Sequence, residues 1–319
     1  MHKSAVAIGI ADRAPGVAKG ALWLWARTLG WFGQKPEAVN HWLVSTLVDK
    51  LQYRLPIYTR LGNGMRIKVH AHDYVGGQII KQGYYEPEIV RWFEQILKPG
   101  NVFIDVGTHV GQYTLVASRL IGSKGNVHGF EPDPETFRRL TSNIRRNRLR
   151  NVAANKLALA DKPGTLHFFL SNVRDIGSNS LQKPPTFSGR EVDVTCIALD
   201  DYLGTHGVQR VDLLKMDIEG AEYSALVGAK GLLTRDDRPP IIIEFEEERQ
   251  VAFGYSCARL AELLTGFGYR LFRIGSEVVE EYVPRNPDAY SFNILAVPSN
   301  RRDLLDDMHK PAAAASPPA

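Results

Sequence analysis

Cysteine is scarce in this chain: Cys196 and Cys257 are the two among 319 residues. They fit no metal-ligand spacing and are too few for a disulfide framework, so a reducing cytoplasm is the expected setting. Long apolar runs are missing as well, and without about 18 consecutive apolar residues a spanning helix is not expected. The best candidate, Gly20-Ala-Leu-Trp-Leu-Trp-Ala-Arg-Thr-Leu-Gly-Trp-Phe32, is short and broken by Arg27. A good signal peptide is absent, because Asp12 and Arg13 interrupt the weak apolar stretch from Ala5 to Ala11. Nor is one sign of charge in large excess; a net +4 does not by itself argue for nucleic acid or membrane. What remains is ordinary for a globular protein, with 44% hydrophobic and 23% charged residues and enough length for one large or two small domains.

One further absence is informative. In Val102-Phe-Ile-Asp-Val-Gly-Thr-His-Val-Gly-Gln-Tyr113 an apolar run ends in Asp105, turns through Gly107 and Gly111, and re-enters an apolar helical pattern. A second apolar run ends in Glu131 of Phe130-Glu-Pro-Asp133. An α/β sheet holds an adenosine-containing cofactor in this way, at the carboxyl ends of its strands. The third glycine of a dinucleotide loop is missing, however, and Asp105 would repel a pyrophosphate. An acid at that strand end suits a cationic group, such as the amino group of a methionyl moiety. Glu131 can accept hydrogen bonds from ribose hydroxyls, and Asp161, closing Leu157-Ala-Leu-Ala-Asp161, from an adenine amino group. Together they point to S-adenosylmethionine over NAD. An NAD-dependent oxidoreductase and a non-catalytic cofactor- or partner-binding module of the same fold are the alternatives.

Tyr58–Val69 reads as a hairpin around Gly62-Asn-Gly64. Glu86–Leu97 reads as an amphipathic helix stopped by Pro99-Gly100. Strands are expected at Val102–Val106, Asn126–Phe130, Val152–Leu159, Thr165–Leu170, Glu191–Ile197, Val211–Met216, Pro240–Phe245, Tyr269–Ile274 and Phe292–Val297. Helices are expected at Gln112–Leu120, Pro134 to about Asn147, Ala221–Ala229 and Ala258–Phe267, with a short one from Leu199. Such alternation predicts a doubly wound α/β, Rossmann-like sheet, mostly parallel, closed by a terminal antiparallel hairpin. Residues 1–82 read as an N-terminal extension, 83–300 as the main domain, and 301–319 as a disordered tail.

Gly83-Tyr-Tyr-Glu-Pro-Glu88, Phe103-Ile-Asp-Val-Gly107, Phe130-Glu-Pro-Asp-Pro134, Gly177-Ser-Asn-Ser-Leu181, Leu199-Asp-Asp201 and Lys215-Met-Asp-Ile-Glu-Gly-Ala-Glu222 resemble an FkbM-type methyltransferase, in order and with ordinary spacing. The resemblance implies a class I S-adenosylmethionine-dependent fold that methylates hydroxyls of sugars, glycolipids or polyketides. It also implies that Asp105, Gly107 and Gly111 bind the methionyl part, Glu131 the ribose and Asp161 the adenine. The family usually has Ala-Asn where this chain has Thr108-His109, which puts both residues in the candidate cofactor loop.

A hydroxyl is a weak nucleophile and gains from a base or a metal. Asp217 ends one core strand and Glu244 the adjacent one, so Asp217 with Glu244 in support is the expected base or orienting pair. Glu219 and Glu222 suit the positive end of the following helix. Four acids could hold Mg²⁺, although the spacing does not require it. His109 is a second candidate base; His128 and His167 fall inside strands and read as satisfied. Tyr84, Tyr85 and Glu86 could cover the cofactor. Arg138, Arg139, Arg145, Arg146, Arg148 and Arg150 read as a solvated helix face; an anionic lipid or glycan surface also fits, and no nucleic acid is expected because interleaved aromatics are few. The segment with Trp23, Trp25, Trp31 and Phe32 reads as a helix packing on the domain or a partner, with peripheral membrane contact as the alternative.

Overall fold

The structure is a computed structural model, and it describes residues 56–70, 73–171, 189–275, 279–284, 291–301 and 303–304. The tryptophan-rich segment, the Gly177-Ser-Asn-Ser180 loop and the tail after Pro311 lie outside the described residues. No helix among the described residues is long and apolar enough to cross a membrane.

Strands β1 (Pro56–Arg60) and β2 (Arg66–His70) form the expected hairpin, with Tyr58 opposite Lys68 and Arg60 opposite Arg66. Gly64, at φ 84°, takes the left-handed turn position. Ile67 and Val69 point into the core while Arg66 and Tyr58 face solvent. Helix α1 (Tyr74–Gln82) was not foreseen, since Gly76-Gly77 reads against a helix; Asp73 starts it by accepting from the Val75 N–H. Helix α2 (Pro87–Ile96) buries Ile89, Val90, Phe93 and Ile96, as the periodicity predicts, and Trp92 beside them.

The alternating core follows: β3 (Val102–Val106), α3 (Gln112–Ile121), β4 (Asn126–Phe130), α4 (Pro134–Arg146) and β5 (Val152–Asn155). The strand expected over Val152–Leu159 is broken. Its pairing with β4 ends at Phe130↔Asn155, with the Glu131 N–H donating to the Asn155 carbonyl as the last bond. The chain then leaves for a separate three-stranded sheet of β6 (Ala158–Leu159), β7 (Gly164–Ser171) and β8 (Gly189–Ile197), in the order β6-β8-β7. After α5 (Leu199–Thr205) and β9 (Leu213–Met216), the helix expected over Ala221–Ala229 is present as α6 (Glu222–Val227), and an unforeseen α7 (Lys230–Leu233) follows it. Asp200 causes the second start: its carboxylate accepts from the N–H groups of Gly231 and Leu232. The remaining elements are β10 (Ile241–Phe245), an unforeseen short α8 (Glu247–Ala252), α9 (Cys257–Gly266), β11 (Tyr269–Ile274), β12 (Val279–Glu281) and β13 (Phe292–Pro298).

The main sheet runs β12-β11-β13-β10-β9-β3-β4-β5. Strands β10, β9, β3, β4 and β5 are parallel; β13 pairs antiparallel with both β10 and β11. Both faces are covered, which explains apolar runs such as Ile241-Ile-Ile243. Phe103, Leu213, Ile242 and Leu295 belong to one core cluster, with Ile67, Val69, Ile79 and the buried side of α2. Ile104, Leu214, Ile241, Ile243 and Ile294 belong to the other, with residues of α5, α6 and α9. The hairpin therefore shares a core with the sheet.

Two asparagines attach the hairpin to α4. Asn143 accepts from the Lys68 N–H and donates to its carbonyl, while Asn147 does the same for Arg66. Four residues of helix rise about 6 Å and two of strand about 6.8 Å, so the i,i+4 pair matches the outward groups of one strand edge.

Candidate active site

The chain runs outward from β3 to β5 and returns at β9, so the sheet reverses between β3 and β9. A doubly wound sheet binds ligands at the carboxyl ends of its strands at such a switch. A cleft of about 220 Å³ lies there, lined by Gly107, Thr108 and His109 after β3, Glu131 after β4, Asp217 and Glu219 after β9, and Glu244 of β10. Val106, Phe130, Leu157, Leu159 and Phe168 make an apolar wall, and Tyr74, Tyr85 and Arg249 are also part of the lining.

The loop after β3 is held by its neighbours. The N–H groups of Gly107 and Thr108 donate to the Phe130 carbonyl. Gly107 has φ 82°, and a Cβ on it would overlap the carbonyl oxygen of Asp217, so the glycine lets the two strand ends touch. Glu131 accepts from the His109 N–H through one carboxylate oxygen (2.9 Å) and from the Asp133 N–H through the other (3.0 Å). Burial nevertheless pushes its carboxyl up to about 8. The Thr108 hydroxyl oxygen is buried with no partner among the described residues. His109, at φ 50°, places Nε2 3.7 Å from a carboxylate oxygen of Asp73 at the start of α1.

Three expected ligand residues stand elsewhere. Asp105 is fully buried, does not line the cleft, and lies opposite Lys215 in the β3–β9 ladder. One of its oxygens accepts from the Thr114 hydroxyl at 2.5 Å, and burial raises its carboxyl to about 6. Gly111 precedes α3 and packs against Leu140. Asp161 is exposed beside Ser224, outside the lining, because the chain has already left the main sheet for β6.

The end of β9 and β10 is a network of charges. Lys215 is 1% exposed, and its Nζ lies 2.9 Å from Asp217 Oδ2 and 4.5 Å from the centre of the Tyr113 ring. Asp217, Asp105 and Glu86 outweigh the cost of burial and raise the Lys215 ammonium. The same pairing, against burial, holds Asp217 below the usual carboxylate range. Glu244 is hydrogen-bonded to Asp217 and accepts from the Ser291 hydroxyl at 2.7 Å; burial and the Asp217 charge push it well above the usual range. Of the two carboxyls Glu244 is thus the one that favours the proton, and it donates a hydrogen bond to Asp217. Glu219 is raised by burial despite Arg249, which pairs with it at 2.8 Å. Glu222 does not line the cleft: it accepts from the Ile218 N–H at 2.9 Å and is raised to about 7 by burial.

Lys215, Arg249 and the Glu86 contacts were not foreseen. A lysine inside the apolar Leu213-Leu-Lys-Met216 was the available signal. Glu86 accepts from the Tyr113 hydroxyl (2.6 Å) and from Asn293 (2.8 Å). Gln112 grips the Tyr85 backbone from both sides, accepting from its N–H at 2.7 Å and donating to its carbonyl at 2.8 Å; this fixes Tyr85 over the cleft. Tyr84 packs on the core instead. His128 bonds Tyr202 and His167 pairs with Asp193, so both are satisfied.

The parallel half-sheets, the reversed β13 and the acids at the strand ends define an α/β fold of the class I methyltransferase type. The chain belongs to the family described as the methyltransferase FkbM domain, matched over residues 105–271. It is 26% identical over 148 residues to hexuronic acid methyltransferase AglP of Haloferax volcanii, covering 46% of this chain and 58% of that one. Identity to 31-O-demethyl-FK506 methyltransferase FkbM of Streptomyces tacrolimicus is 28% over 163 residues, 42% of this chain and 61% of that one. For 2-O-methyltransferase NoeI of Sinorhizobium fredii it is 28% over 152 residues, 43% and 61%. The chain thus spans about three fifths of the length of these curated relatives.

Proposed function

We propose that this protein transfers a methyl group from S-adenosylmethionine to a hydroxyl of a sugar, glycolipid or polyketide-like acceptor in the cytoplasm. The observation that carries this reading is one cleft in which a glycine loop and Glu131 face the carboxyl groups of Asp217 and Glu244. The family supports the reaction, and relatives named for a hexuronic acid and for 2-O-methylation support an oxygen acceptor. Two buried cysteines outside any disulfide, Cys196 and Cys257, are in keeping with a reducing compartment.

The residues present suit the cofactor. Gly107 keeps the loop flush with the Asp217 backbone, and the unpartnered Thr108 hydroxyl offers a polar contact beside it; this loop would take the methionyl part. Glu131 spends one acceptor position per oxygen on backbone N–H groups and has others for ribose hydroxyls. The apolar wall of Leu157, Leu159 and Phe168 suits a purine. When bound, the cofactor supplies an electrophilic methyl group on a sulfonium.

Lys215 keeps Asp217 ionised, and Glu244 steadies it by donating a hydrogen bond. Asp217 then accepts a hydrogen bond from the acceptor hydroxyl and aims its oxygen, so positioning supplies much of the rate. The hydroxyl proton becomes strongly acidic only as its oxygen takes the methyl group, and a carboxylate of low pKa is then a sufficient acceptor. Tyr85, gripped by Gln112, excludes water.

Isothermal titration with S-adenosylmethionine tests the cofactor assignment. Wild type binds, and Glu131→Ala binds at least tenfold more weakly; unchanged binding in Glu131→Ala and Gly107→Ala sinks it. Release of S-adenosylhomocysteine across a panel of neutral and acidic glycans, with and without chelator, tests the transfer. Turnover that survives chelation supports the Asp217 route, and turnover abolished by it replaces that route with Mg²⁺.

A further inference from the structure

The charge of this molecule is strongly segregated. Residues 56–70 hold three basic side chains and no acid, and residues 134–156 hold seven basic side chains against Glu135 alone, although the whole chain is only +4. These two stretches lie side by side, because Asn143 and Asn147 bind β2 to α4. Tyr58, Arg60, Arg66 and Lys68 occupy the outward side of the hairpin. Arg146 reaches over from α4 to lie 4.1 Å from the centre of the Tyr58 ring, with Lys68 at 5.7 Å. Arg138 and Arg145 are exposed on α4, followed by Arg148 and Arg150.

Among the described residues Arg60, Arg66, Lys68, Arg138, Arg145, Arg146, Arg148 and Arg150 form no ion pair; Glu135, the acid of this face, is taken by Arg139. Arg60 stands directly opposite Arg66 in the ladder, a like-charge pairing that destabilises a hairpin. The buried Nε of Arg146 has no hydrogen-bond partner among the described residues. A fold with acids to spare at its cleft leaves this face uncompensated, and an anionic partner relieves the repulsion.

We propose that the outer side of the β1–β2 hairpin and the adjoining exposed side of α4 dock on an anionic lipid bilayer. Clusters of basic residues bind anionic leaflets at roughly a fivefold gain per Lys or Arg near the surface, and a half-exposed tyrosine among them suits the headgroup region. Arg146 and Lys68 already lie on the Tyr58 ring, which leaves less of it for a base to stack on and disfavours nucleic acid. The cleft is close by. Tyr74, 60% exposed and part of its lining, comes four residues after the last residue of β2, hence within about 14 Å of it. A chain bound by this face presents its cleft at the level of the headgroups.

Cosedimentation of the full chain with vesicles tests this without cofactor or acceptor, so its outcome is separate from that of the methylation assay. The full chain sediments with phosphatidylcholine vesicles containing phosphatidylglycerol, releases in high salt, and ignores pure phosphatidylcholine. Arg60→Gln/Arg66→Gln/Arg145→Gln lowers the partition about a hundredfold, with an unchanged circular dichroism spectrum. Lys230→Gln/Arg235→Gln/Arg259→Gln, which removes three charges elsewhere, leaves it as in wild type. Equal losses in both variants, equal binding to the two lipids, no binding at all, or tighter binding to an RNA duplex than to the anionic vesicles would each overturn the proposal.

Discussion

The two halves of the cleft hold their acids by different means. Glu131 is fastened by backbone N–H groups alone, one to each carboxylate oxygen. Asp217, Glu219 and Glu244 are held by side chains: Lys215, Arg249 and Ser291. Backbone donors fix a group in place but cannot give up a proton. Side-chain partners can exchange protons with what they hold and can turn. The first half is built to hold a ligand still, and the second to orient a group whose protonation changes during reaction.

The largest expected effect comes from breaking the second half. Lys215→Met removes the cation shared by Asp217, Asp105 and Glu86 and should lower unfolding free energy in urea by about 3–5 kcal/mol. Adding Asp217→Asn should recover part of it; a loss under about 1 kcal/mol would mean that the charges do not depend on this lysine. Where the halves touch, Gly107→Ala meets the Asp217 carbonyl and a left-handed φ. A loss of about 2–4 kcal/mol is expected by the same measurement.

A pH series sharpens the contrast. Burial raises Glu131 to about 8 from an ordinary 4.5, so the folded chain binds the extra proton. Its contribution to stability is present below pH 4.5 and is lost as pH rises through 8. Thermal unfolding without ligand should therefore show the melting temperature falling over this window, and Glu131→Gln should flatten the fall. The smallest effect belongs to the cover: Gln112→Ala removes both bonds to the Tyr85 backbone and should cost about 1–2 kcal/mol. It should weaken S-adenosylmethionine binding more than it lowers stability.

The first half was legible in the sequence because its signals are local. Gly107, Thr108, His109 and Glu131 belong to short strand-to-loop patterns, and each lines the cleft. Asp217 and Glu244 were found in the same way, as acids closing apolar strands. Asp105 shows where local reading ends. Its place at a strand end suggested a ligand, but strand register sets it against Lys215, a neighbour 110 positions away that no spacing rule reveals. Arg249 and Asn293 reach their partners from unforeseen α8 and from the antiparallel β13. In each case the deciding contact lies across the sheet and not along the chain.

The asparagine pair on α4 has a consequence for self-association. A two-stranded ribbon ordinarily exposes rows of unpaired N–H and C=O groups that invite another strand to add on. Here Asn143 and Asn147 occupy the free donors and acceptors of Arg66 and Lys68, so that side of β2 gives no template for growth. On the other strand Pro56 removes one donor at its start. Two side-chain amides thus do what an additional strand would do, without adding an edge of their own.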